Sequence, residues 1–111
     1  RWYRINGLPW LEKRVHLLAN RVGVTPTNVR VRDLGYRWGS CTRRENVYFN
    51  WKLLQLPVHL IDYVIVHELA HLRDGNHGPG FWSRVERALP DWPSRKEELD
   101  EWATAYLRFS R

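Results

Sequence analysis

The stretch that decides the fold runs Pro57-Val58-His59-Leu60-Ile61-Asp62-Tyr63-Val64-Ile65-Val66-His67-Glu68-Leu69-Ala70-His71-Leu72-Arg73. Pro57 brings a fixed φ and no amide hydrogen, so it opens a helix at no cost in hydrogen bonds. Leu60, Ile61, Val64, Ile65, Leu69, Ala70 and Leu72 leave that helix apolar almost all round, and such a helix lies buried in the centre of its domain. Gly75 is placed to end it. The pattern predicts a helix from Val58 to about Arg73. Into it the chain sets His67, Glu68 and His71. Histidines four apart leave a helix on one face, so their imidazoles can meet on one ion. A chance occurrence would leave these polar groups unpaired in an apolar setting, which is costly. Glu68 adjoins the first histidine, within reach of a water on that ion. This His-Glu-x-x-His spacing is the metalloprotease pattern. Zinc suits the donor set, since imidazole nitrogen is a good ligand and the ion has no redox chemistry; imidazoles accept other divalent metals too.

A third ligand is at hand. His77 follows His71 by six residues, just past Gly75, where the chain must reverse and can bring the ring back over the ion. The spacing equals that of the third metzincin histidine. The metzincin glycine would fall at Asp74, however, and a chain without Met has no Met-turn, so the site reads as zincin-type but not metzincin. Three protein ligands leave a fourth position for water, the mark of a catalytic rather than a structural zinc. Cys41 and His59 are the spare candidates for closing it. His59 lies two turns before His67, too far along the helix, and His16 is on another helix; both read as surface or capping histidines.

Upstream, Leu11, Val15, Leu18 and Val22 mark one helical face, with Pro9 in the first turn and Gly23 at the end. Val29 to Leu34 alternates as a strand, Tyr36 to Cys41 reads as a second, and Val47 to Trp51 as a third, with Thr42 to Asn46 as a turn. Downstream, Asn76 to Gly80 reads as a loop. Phe81, Val85 and Leu89 mark a helix closed by Pro90. Ser94-Arg95-Lys96-Glu97 reads as a capping box ahead of a last helix. The apolar face of that helix is Leu99, Trp102, Ala103, Tyr106 and Leu107. The fold class expected is α+β: an N-terminal helix, a small three-stranded sheet, a buried active-site helix and two C-terminal helices, a minimal zincin-like domain.

A chain of 111 residues is one domain by size, and seven Trp, five Tyr and three Phe supply much of its core. One cysteine excludes an internal disulfide and any multi-thiolate metal site. That fits a reducing, cytoplasmic setting, with no leader in view. No apolar run approaches membrane-spanning length. The charge of +6 is uneven: residues 1–52 hold eleven Lys or Arg against three acids, and residues 53–111 hold seven against nine. The basic half suggests an anionic partner, a nucleotide or a nucleic acid. Arg37, Arg43 and Arg44 could fork onto phosphates and Trp38 or Trp51 could stack on a base. The plainer reading makes Trp38 core and Arg43-Arg44 a solvated turn. For a peptide, the strand edge at Val47 to Trp51 offers backbone pairing, and Arg37 or Tyr63 is a candidate oxyanion partner.

Arg37-Trp38-Gly39-Ser40-Cys41, Asn50-Trp51, Leu60-Ile61-Asp62-Tyr63-Val64, His67-Glu68-Leu69-Ala70-His71-Leu72, Asn76-His77 and Phe81-Trp82 run in this order. The ordered set resembles the YgjP-like metallopeptidase domain, a relative of the SprT-like proteases, from about Leu11 to Trp92. The resemblance implies a small sheet packed on the active-site helix, zinc on His67, His71 and His77, and Glu68 as general base. Family members usually carry a further N-terminal region, so residues 1–111 are expected to be a single domain from a longer chain. A member of the family is described as a UTP pyrophosphatase, so the resemblance leaves peptide and phosphoanhydride substrates both open.

Overall fold

Leu11, Val15, Leu18, Ala19 and Val22 line up on the buried face of α1 (Leu8–Val22). Gly23 ends the helix in the left-handed region at φ 83°, and its N–H bonds the Ala19 carbonyl at 2.8 Å. The structure, a computed structural model, describes residues 6–42 and 46–105, with side chains to residue 102. Three strands follow, β1 (Asn28–Arg32), β2 (Gly39–Cys41) and β3 (Asn46–Asn50). After a 3-10 turn at Trp51–Gln55 come α2 (Val58–His71), α3 (Pro79–Ala88) and α4 (Trp92–Ala105). The domain is therefore mixed α+β as expected, with four helices and one three-stranded sheet among the described residues.

The sheet order is β1-β3-β2. β3 runs parallel to β1, with Asn28 opposite Asn46, and antiparallel to β2, with Gly39 opposite Phe49. This corrects the expectation that Val47 to Trp51 offers a free edge. β3 is the middle strand and both its sides are taken. Val47 and Phe49 are wholly buried, which is why the most apolar strand sits innermost. Local side chains shorten the other strands. Asp33 accepts a bond from the Gly35 amide at 2.9 Å, so the chain turns there, with Gly35 at φ 64°, and β1 stops at Arg32. The buried Asn50 donates to the carbonyls of Gly35 and Arg37 and so holds the approach to β2. The same amide accepts from Lys52 N, which starts the 3-10 turn at Trp51.

α2 is the centre of the molecule. Every residue from Leu60 to His71 is buried, against α1, α3, α4 and β2. Helix and turn part company just before the expected end. Arg73 and Asp74 both donate to the Ala70 carbonyl, so the closure falls ahead of Gly75. Arg14 forks onto Asp62 with bonds of 2.7 and 2.6 Å and pins α1 to α2. His59, half-exposed, pairs with Glu98 at 2.9 Å and ties the start of α2 to α4. The expected capping box does not form. α4 begins at Trp92, so Ser94 lies in its first turn and donates to the Asp91 carbonyl at 3.0 Å. Pro93 fits that first turn, where no amide is needed, and the start moves forward accordingly. Among the described residues no helix is long and apolar enough to cross a membrane. Tyr106 and Leu107 lie outside the described residues.

Candidate metal centre

Helical spacing puts His67 and His71 on one face of α2, and the fold seals that face: His67 is 4 % exposed, Glu68 3 % and His71 8 %. His77 arrives from the loop after α2. There the Asn76 side chain accepts from the Gly78 amide at 3.1 Å and bends the chain back toward the helix. The His77 Nε2 stands 3.1 Å from His71 Nε2 and 3.4 Å from His67 Nε2. One ring nitrogen from each of the three histidines lies within 4.8 Å of the others. Ligand nitrogens on a tetrahedral ion with bonds of about 2.0–2.1 Å stand roughly 3.3–3.4 Å apart, close to the spacing His77 keeps from each of the other two rings.

Protonation points the same way. His71 Nδ1 lies 3.1 Å from the Asp74 carbonyl oxygen, which can only accept. The proton therefore sits on Nδ1, and the lone pair of Nε2 faces the other two rings. Phe81 forms the floor, with its ring centre 5.2, 4.6 and 4.7 Å from those of His67, His71 and His77. Trp82 stacks on His77 at 5.9 Å and Trp92 stacks on Trp82 at 4.3 Å. An apolar floor of this kind keeps water from the back of the rings.

Glu68 packs against β2. A Cβ at Gly39 would lie 2.8 Å from Glu68 Cγ and 3.3 Å from its Oε2, so only glycine lets the strand come this close. From sequence, Gly39 has a place in the Arg37 to Cys41 motif but no role at the site. A glycine inside a strand is itself a sign of close backbone approach, and that signal was present.

The remaining candidates fare differently. Arg37 is exposed in the turn before β2. Trp38 is 2 % exposed and belongs to the core, so neither ring face is open to a base. Trp51 is half-buried in the 3-10 turn. Arg43 and Arg44 lie outside the described residues. Tyr63 is wholly buried, and burial, with the Asp100 carboxylate adding to it, pushes its phenol well above the ordinary range. A phenol held inside the core is not an exposed oxyanion donor.

A small α+β domain built round a three-histidine cluster, two of its members buried on the central helix, has the form of a metallopeptidase, and metallopeptidases are hydrolases. The model of the YgjP-like metallopeptidase domain matches residues 1–102, and the chain belongs to that family. No curated protein matches it by sequence. Among solved structures it is similar to the metallopeptidase zymogen of Pyrococcus abyssi abylysin. The TM-score is 0.77 and the identity 20 %, over 88 % of this chain and 99 % of that one. It is similar also to the metallopeptidase zymogen of Methanocaldococcus jannaschii jannalysin. There the TM-score is 0.71 and the identity 15 %, over 82 % and 94 %. At these identities the two structures support the fold. The family description and both neighbouring structures speak of peptidases, and none of them speaks of a nucleotide or nucleic acid.

Proposed function

We propose that the chain is a zinc metallopeptidase in which His67, His71 and His77 hold the ion and Glu68 is the general base. The observation that carries this reading is the approach of His77 Nε2 to within 3.1 Å of His71 Nε2 and 3.4 Å of His67 Nε2, with a buried glutamate next to His67 in the chain. Bound there, zinc supplies a Lewis acid for the scissile carbonyl and lowers the pKa of the attacking water. Glu68 takes the proton from that water and passes it to the nitrogen of the leaving amine. Its carboxylate is held for the task by β2, whose Gly39 backbone leaves it little room to swing. Phe81 limits water at the back of the site, which strengthens the electrostatics inside.

The peptide lies along β2. That strand is at the edge of the sheet, next to β3 on one side, and it is the strand packed on α2 beside Glu68. An extended substrate adds to such an edge by main-chain bonds, which bring a peptide carbonyl to the site whatever its side chains. The buried Trp38 weakens the nucleotide alternative by removing one of the two rings, Trp38 and Trp51, that it offers for stacking.

The test is metal analysis of the purified protein, then turnover of casein, and separately of UTP, by wild type and Glu68→Gln. Wild type should cleave the protein substrate. Glu68→Gln should keep its zinc and lose roughly 100-fold or more in kcat. Turnover that survives in Glu68→Gln removes the glutamate from its role, and hydrolysis of UTP alone overturns the peptidase reading.

A further inference from the structure

We infer that the Asp74–Arg84 ion pair is a positioning device for the metal centre, setting how tightly the three histidines hold their ion. The inference rests on the metal-centre reading above. Neither side chain touches a ring nitrogen of the cluster, and both act through the turn between α2 and α3.

Asp74 is a junction. Its amide donates to the Ala70 carbonyl at 3.0 Å and so closes the last turn of α2. Its carbonyl receives the Nδ1–H of His71 at 3.1 Å. Its carboxylate accepts from Arg84 Nε at 3.0 Å, with both side chains about three-quarters buried. Arg84 comes from α3, and its other arm reaches the Val22 carbonyl at the end of α1 at 3.5 Å. The start of α3 abuts the same carboxylate, since a Cβ at Gly80 would lie 3.2 Å from Asp74 Oδ1. One residue thus anchors the partner of His71 to three helices.

The second consequence concerns His77. The loop that carries it leaves the turn that closes α2 at Asp74 and enters α3 at Pro79, and the ion pair joins that turn to α3 across the loop. With the pair closed, the loop is a short bridge between fixed points, and His77 Nε2 is held near the other two. With the pair cut, the turn at residues 70–74 and the first turn of α3 separate more readily. The Asp74 carbonyl then leaves His71 Nδ1, and the third ligand loses its fixed base. Partners in this outer position commonly govern metal affinity about 10- to 100-fold by holding ring orientation and tautomer.

The experiment uses the full chain with Zn2+ and Co2+ as probes, in wild type, Asp74→Asn, Arg84→Gln and Arg84→Lys. Zinc affinity is read by competition with a chromophoric chelator at fixed pH, ligand geometry by the visible spectrum of the Co2+ form, and fold by the Tm of the metal-free protein. The expected result is zinc binding weakened roughly 10-fold or more in Asp74→Asn and Arg84→Gln, with weakened tetrahedral cobalt bands. Arg84→Lys, which keeps the cation, should recover most of the affinity. If either neutral variant lowers the metal-free Tm yet binds zinc as wild type does, the pair is structural and the inference is overturned. Wild-type protein that binds neither ion overturns the metal-centre reading itself, and this inference with it.

Discussion

Gly39→Ala adds one methyl group and should cost most of the activity. Gly39 faces α2 from β2, and the new carbon would fall 2.8 Å from Glu68 Cγ. Carbon atoms are comfortable at roughly 3.5 Å or more, so about 0.7 Å must be found. β2 cannot retreat freely, because Gly39 is in register with Phe49 and the Trp38 carbonyl accepts the Asn50 amide at 2.9 Å. α2 cannot retreat either, with α1, α3 and α4 packed on it. Glu68 is the softest element, and its carboxylate should rotate away. Misplacing a reacting group by about 1 Å is worth up to about 100-fold in rate. Overpacking itself costs about 1–3 kcal/mol. The assay is kcat on a peptide substrate with the zinc content of each sample measured alongside. We expect kcat to fall by about 10- to 100-fold with zinc retained. A folded, zinc-loaded Gly39→Ala protein with wild-type kcat would refute the claim that β2 fixes the glutamate.

Removing the metal should soften the whole domain. At free zinc 100 times its Kd, binding adds about 2.7 kcal/mol, worth roughly 10–20 °C in Tm for a domain of this size. Calorimetry with and without chelator checks this, and equal Tm values would contradict it. Asp62→Ala leaves the Arg14 guanidinium without its carboxylate between α1 and α2. The loss should be about 2 kcal/mol, between the values for exposed and buried pairs; urea midpoints that coincide would show the fork to be idle. Burial raises the Tyr63 pKa, so the folded state favours the neutral phenol. Stability is then full below the unfolded-state pKa of about 10 and declines as pH climbs above it. Tyr63→Phe should flatten that decline in Tm above about pH 10, and parallel curves would rule the residue out.

Much of this was readable from local pattern. The stretch from Pro57 to His71 announces a central helix because apolar residues surround it. The spacing of His67, His71 and His77 survives folding because two lie on one helical face and the third follows a forced reversal. What escaped was long-range. Which strand is innermost depends on a parallel pairing between Asn28 and Asn46 that no short window contains. Trp38 read equally well as core or as a base platform, and only packing decided for core. The capping-box pattern at Ser94 to Glu97 lost to Asp91 and Pro93, which begin the helix sooner. Asp74 stood in the sequence only as a mismatch to another family's glycine. Its meaning comes from Arg84, which the sequence does not join to it.

The placement of β3 between its neighbours bears on the order of assembly. β2 and β3, neighbours in sequence, make an antiparallel pair, with the Thr42 amide on the Asn46 carbonyl. α2 follows after the 3-10 turn. Glu68, the three histidines and the glycine that confines the glutamate all come from this unbroken run, Gly39 to His77. β1 must instead reach β3 in parallel, after the intervening chain has been gathered in, and such non-local pairings form late. This segment should therefore condense first and α1 with β1 close over it. Truncating Phe49 should slow folding, whereas truncating Val29 should mainly speed unfolding, and the opposite assignment of rates would show that the parallel seam is the nucleus.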